Sequence, residues 1–157
     1  MPNSEPLVLF RLRRAPAGLR RPALEEFARL LRARVAGGRE FQCLVTDDRE
    51  LQRLNRQFLG KDYPTDVLSF PAGRTVWQGK PTPRLLGELA ISAKRAAEQA
   101  REFGHPVEDE IRILMLHGVL HLVGMDHERD RGAMARAESA WRKKLGLPAG
   151  LIERAPA

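Results

Sequence analysis

Residues 106–127 read PVEDEIRILMLHGVLHLVGMDH, and the interpretation of the whole chain depends on this stretch. Pro106 followed by Glu108, Asp109 and Glu110 marks a helix start, because carboxylates favour the positive end of the helix dipole. The predicted helix runs to about Val123. His117 and His121 are four apart on it, so their rings project from one face, one turn apart. Gly124 can adopt a left-handed conformation and end the helix. The chain then turns, and His127 is free to come back toward the first two rings. Three neutral imidazoles brought together in this way form an open zinc site with water in the fourth position. Zinc lowers the pKa of such a water and so makes a nucleophile or acts as a Lewis acid. An H-x3-H pair alone is common in buried helices, and His121 between Leu120 and Leu122 would alone read as a core histidine. The third histidine after a glycine turn makes metal the better reading of H-x3-H-x2-G-x2-H. Imidazole donors accept several divalent metals, zinc being the expected one. His105, beside the helix start, reads as a surface residue or cap.

The spacing equals that of the ligands in metzincin proteases, H-E-x-x-H-x-x-G-x-x-H. Those enzymes place a glutamate after the first histidine as general base. Here the position is Gly118, which cannot take a proton, so the pattern argues against peptide cleavage.

Upstream, Leu7 to Arg13 reads as a strand. A helix opens at Pro22, carries Leu24, Phe27, Leu31 and Val35 at helical spacing, and stops at Gly37-Gly38. Phe41 to Thr46 is a buried strand. Asp47 with Glu50 three residues on is a capping-box pattern, opening a helix with Leu51, Leu54 and Phe58 on one face, closed by Gly60. Lys61 to Thr65 is a loop and Val67 to Phe70 a short strand. Pro71 to Pro83 is a proline-rich loop or loose hairpin, and Leu86 to Ser92 a fourth strand. A helix from Ser92 to Phe103 ends at Gly104, the histidine helix follows, and a last helix covers about Arg131 to Leu145. The order β-α-β-α-β-β-α-α-α predicts an α+β fold, a small mixed four-stranded sheet packed with about five helices, with residues 1–157 forming a single domain.

The 157 residues carry 43% hydrophobic and 30% charged side chains, a soluble globular composition. The longest uncharged stretch, Ile113 to Met125, is too short to span a bilayer. The N-terminal order, acid, apolar run, then basic cluster, is not that of a secretory signal. One cysteine, Cys43, excludes an internal disulfide framework and fits a reducing compartment. These features predict a cytoplasmic protein and no membrane partner. Arginine supplies 22 of the 27 basic residues; residues 1–39 hold nine arginines and three acids, hence +6 of the formal +7. Such an excess favours a polyanion through counterion release, and Arg29 and Arg32 are the candidate contacts, with Arg34 beside them. The alternative is a solvated helix face.

Three segments together resemble one family. His117-Gly-Val-Leu-His-Leu-Val-Gly-Met-Asp-His127 is similar to the H-G-x-L-H-L-x-G-x-D-H signature of the YbeY endoribonucleases, the rRNA maturation factors. Gly60-Lys-Asp-Tyr-Pro-Thr-Asp-Val-Leu-Ser-Phe-Pro71 is similar to their G-K-D-x-P-T-D-V-L-S-F-P, and Leu86-Gly-Glu-Leu-Ala-Ile-Ser92 to their L-G-D-I-x-I-S strand. The resemblance implies a zincin-like fold with His117, His121 and His127 as ligands of one zinc ion. It also implies action on single-stranded RNA, in maturing the 3′ end of small-subunit rRNA and in ribosome quality control. The partners would be rRNA, the small ribosomal subunit and assembly factors. Residues 64–70 would wall the cleft opposite the zinc helix. Ser69 then lines the cleft or bonds backbone, Lys61 contacts phosphate or is a solvated charge, and Asp126 orients an imidazole or caps its turn. One departure stands out. The family carries an arginine before G-K-D, and this chain has Leu59. Either activity is weaker or another cation serves, Arg56 one turn back being the candidate. A non-catalytic assembly factor with structural zinc is the alternative reading.

Overall fold

The computed structural model describes residues 5–72, 85–126, 130–149 and 151–154. Strands β1 (Val8–Phe10), β2 (Glu40–Thr46), β3 (Val67–Pro71) and β4 (Leu85–Ser92) form one mixed sheet in the order β1-β2-β4-β3. The β1–β2 and β2–β4 pairs are parallel, and β3 runs antiparallel along β4 as the far edge. Among the described residues six helices accompany it: α1 (Arg21–Arg34), α2 (Asp48–Leu59), α3 (Ala93–Phe103), α4 (Val107–Leu122), α5 (Ala133–Lys144) and the four-residue α6 (Leu151–Arg154). The α+β order read from the sequence is therefore found, with α6 in addition. Strand β1 is shorter than expected. Beyond Phe10 only Arg11 still reaches β2, through its N–H to the Val45 carbonyl at 2.9 Å and its carbonyl to the Thr46 hydroxyl at 2.9 Å. Most of the Pro71–Pro83 loop falls in residues 73–84, outside the described residues.

The period of two along each strand sorts the side chains onto two faces. Phe41, Cys43 and Val45 of β2 and Leu89 and Ile91 of β4 pack with α1 and α4. Leu68 and Phe70 of β3 and Ala90 of β4 meet Leu51 and Leu54 of α2 in a separate cluster. Burial pushes the Cys43 thiol up to about 12, the nearby Glu25 carboxylate adding to the shift, so it stays protonated in the core.

Local signals place the ends of the helices. The Asp47 carboxylate accepts the Glu50 N–H at 2.8 Å, while the Glu50 carboxylate turns to Arg53 instead of closing the reciprocal box. The Ser92 hydroxyl caps α3 at the Arg95 N–H, and Gly60 and Gly104 end α2 and α3 in the left-handed region. Helix α4 differs from the rest, since 12 of its 16 residues are buried and it therefore needs neighbours on nearly every side.

Strand β4 has one extra residue, Leu86, opposite the Glu40–Phe41 step of β2, and Gly87 follows it with φ +153°. A Cβ there would lie 2.4 Å from the Phe70 carbonyl oxygen and 2.7 Å from a Leu122 methyl. Gly87→Ala is therefore expected to destabilise the fold by at least about 2 kcal/mol, through backbone strain plus overpacking. A urea melt with an unchanged midpoint would contradict this packing.

Candidate active site

Helix α4 ends in a double hydrogen-bonded turn. Gly124, at φ +104°, donates to the His121 carbonyl at 2.9 Å, and Met125 donates to the Leu120 carbonyl at 3.1 Å. The turn carries the Met125 carbonyl back to the His121 ring, 2.9 Å from Nδ1. A carbonyl only accepts, so Nδ1 bears the proton of the neutral ring and Nε2 has the lone pair. His117 is held through the same nitrogen by a different group. Its Nδ1 lies 2.7 Å from Oε2 of Glu138 on α5, a carboxylate with no exposed surface. The two rings meet edge to face, with centroids 4.8 Å apart. Imidazoles that ligate metals donate their other N–H to a carboxylate or carbonyl in this manner, which fixes the tautomer and raises ligand basicity. The donor set at His117 and His121 thus fits a divalent metal ion. His127, the third predicted ligand, lies outside the described residues, and among the described residues no group of three or more His, Cys, Asp or Glu is placed to hold a metal.

Both rings face a cleft of about 630 Å³ between the β3 edge and the end of α4, which Leu59, Lys61, Ser69 and Asp126 also line. Ser69 is a lining residue of the cleft, and its hydroxyl donates to the Gly118 carbonyl at 3.3 Å, tying β3 to α4. A Cβ on Gly118 would sit 2.6 Å from a Leu89 methyl and 3.3 Å from that hydroxyl, so the position that carries glutamate in metzincins is pressed against the sheet. Lys61 is the only lysine or arginine among the described lining residues. Leu59 lines the cleft and is 41% exposed.

Arg56 does not line the cleft; its guanidinium faces Asp62 at 3.9 Å. Arg29 and Arg32 lie on α1, which packs on β1 at the edge of the sheet opposite β3. Arg29 pairs there with Glu25 at 2.9 Å, while Arg32 makes no ion pair among the described residues. His105 is not a surface residue, for its ring is 7% exposed and bonds the buried Glu110 at 2.7 Å. The sequence reading missed Glu138. Its one signal was an acid four residues after Met134 on the face of α5 that turns inward.

These features define a zincin-like α+β protein with a histidine pair at an open cleft. The profile of the Endoribonuclease YbeY family matches residues 19–146. The chain is 63% identical over 142 residues to the endoribonuclease YbeY of Solibacter usitatus, covering 90% of each, and 50% identical over 145 residues to that of Koribacter versatilis, covering 91% of this chain and 89% of the relative. The solution structure of a Thermotoga maritima protein aligns with a TM-score of 0.54 at 26% identity, over 87% of this chain and 89% of that one. The chain belongs to the endoribonuclease YbeY family.

Glu138→Gln keeps the size of the side chain but removes the charge behind His117. It is expected to weaken divalent-metal binding by about 10- to 100-fold, measured by calorimetry. An affinity equal to wild type would mean that Glu138 only fills space.

Proposed function

We propose that the chain is a zinc-dependent endoribonuclease that cuts single-stranded RNA, with His117, His121 and His127 holding one zinc ion. Membership of an endoribonuclease family sets the class of reaction, hydrolysis of RNA phosphodiesters. The observation that carries the zinc reading is the pair of rings locked through Nδ1 by Glu138 and Met125, with the cleft before them. When bound, zinc supplies a Lewis acid and lowers the pKa of water at its open position. The chain's own residues do the rest. Lys61 gives the cleft a cation for phosphate, while Leu59, without charge, stands at the position of the family's arginine. Ser69 holds the cleft wall against α4, and exposed Leu59 offers an apolar surface to a base. In a structural zinc site four protein ligands close the metal off. Cys43, the one cysteine, is fully buried in β2 and does not line the cleft, which favours catalysis over the non-catalytic assembly reading.

The biological setting that fits this activity is maturation of the small-subunit rRNA 3′ end and ribosome quality control. The substrate would then be rRNA within the small subunit, with assembly factors nearby, in the cytoplasm and on the whole chain as one domain. No helix among the described residues is long and apolar enough to cross a membrane.

The test is cleavage of a defined single-stranded RNA under single turnover. A chelator or His121→Ala is expected to abolish cleavage and zinc to restore the wild type. Cleavage that survives both treatments would sink the metal reading. Lys61→Ala should slow cleavage at least about tenfold, equivalent to about 1.4 kcal/mol of barrier, and Leu59→Arg should speed it. Arg56→Ala should leave the rate unchanged, and a tenfold loss would restore Arg56 to the cleft.

RNA binding outside the cleft has its own signature. Replacing Arg29, Arg32 and Arg34 together is expected to reduce the slope of log affinity against log salt, by about one unit for each phosphate no longer neutralised. An unchanged slope would mark α1 as solvated surface.

A further inference from the structure

The Glu138 carboxylate is held at both oxygens. Oε2 meets His117 Nδ1 at 2.7 Å, and Oε1 accepts the Ile152 N–H at 2.7 Å. A carboxylate bound at one oxygen can swing about its last torsion, whereas two bonds fix its plane. Ile152 belongs to α6, four residues long, and an isolated helix of that length has no stability of its own. Arg154 holds it in place. Its guanidinium makes a two-pronged pair with the buried Glu110 of α4, Nη1 to Oε1 at 2.7 Å and Nη2 to Oε2 at 2.8 Å. His105 bonds the same Glu110 oxygen at 2.7 Å, and the Phe103 ring lies 4.3 Å beneath the guanidinium. Burial works against the charge of Arg154, but Glu110, with Asp66 and Glu138 further off, more than restores it. Glu110 precedes His117 by seven residues, two turns of α4, so both project from one face. The contacts therefore close a loop: Glu110 to Arg154, along α6 to Ile152, across to Glu138 on α5, and back to His117. Leu151, the first residue of α6, lines the cleft itself.

We infer that α6 is a latch, and that Arg154 is a positioning residue which sets His117 for metal binding from beyond the site by holding Ile152 against Glu138. The inference rests on the proposed metal site. It extends that site to α6, which acts through the Ile152 N–H on Glu138. Arg154 acts only through Glu110, Ile152 and Glu138. Its loss should therefore appear at His117 and in metal affinity before it appears in the fold.

Two readouts test it on the full chain: zinc affinity by competition with a chromophoric chelator, and the NMR signal of the His117 ring N–H in zinc-free protein. Arg154→Met should weaken zinc binding at least about tenfold and should shift or broaden the ring signal, while melting stays cooperative. Arg154→Lys should recover part of both. Arg53→Ala, which breaks an exposed pair with Glu50, should change neither. By linkage, zinc should also slow amide exchange of Ile152 in the wild type. Zinc affinity within twofold of wild type together with an unmoved ring signal in Arg154→Met would overturn the latch. Should that variant fail to fold, the exchange of Ile152 decides: slowing by zinc supports the latch and unchanged exchange refutes it. If the wild type binds no zinc, the metal reading falls, and the ring signal alone judges the latch, since a response to Arg154→Met sustains it and none rejects it.

Discussion

Helix α4 is buried on almost every side and yet carries acids and histidines, and most of the remaining structure answers that conflict. A buried polar group without a partner costs about 1–3 kcal/mol, and an unpaired buried charge costs more. Each such group on α4 has therefore drawn in a different part of the chain. Glu108 is met by Arg20, whose guanidinium and backbone N–H both bond it and hold its carboxyl below the usual range. Glu110 is met by Arg154 and His105, and His117 by Glu138. His121 is met by the turn that ends its own helix. The approach to α1, helix α5 and helix α6 are thus placed by what α4 needs. The same bonds that remove a penalty also orient two rings.

How much of this was legible depends on the range of the interaction. Asp47, Ser92, Gly60, Gly104 and Gly124 act within a few residues, and each set an end that the structure keeps. The pair at 117 and 121 was readable because helical geometry alone puts the two rings together. Glu138, Arg154 and His105 were not readable as a group. Their meaning comes from partners 21, 44 and 5 residues away, and even the nearest lies across a helix start. His105 departs from the surface placement for that reason: a polar residue beside a helix terminus usually faces water, and here a buried carboxylate takes its ring. Strand β1 stops at Phe10, short of the expected Arg13, because past Arg11 the segment finds no further backbone partner on β2 among the described residues.

Glycine at 118 shows how a residue absent from one mechanism can be required by packing. The sequence reading used it to exclude a general base. The structure adds that a side chain there would collide with Leu89 on β4 and crowd the Ser69 hydroxyl. The close approach of α4 to β3 and β4 is what brings the histidine pair to the wall of the cleft. Gly87 does the same on the other side of the contact, where a Cβ would strike both Phe70 and Leu122. The site thus depends on two missing side chains as much as on those present.

The distribution of positive charge needs a different explanation from the one that net charge suggests. Arg20, Arg21 and Arg29 are engaged with Glu108 and Glu25, and α1 stands at the sheet edge away from the cleft. Lys61 is the only lysine or arginine among the described lining residues, and beside it Leu59 has no charge. A substrate phosphate entering this cleft would therefore meet little fixed cationic field from the described residues. At physiological salt, with a Debye length of about 8 Å, the charge on α1 contributes little there. Under the proposed function, electrostatic stabilisation of a phosphodiester in this cleft would rest on Lys61 and the proposed zinc ion. For that reason the orientation of His117, set through Glu138, matters more here than it would in a cleft lined with arginine.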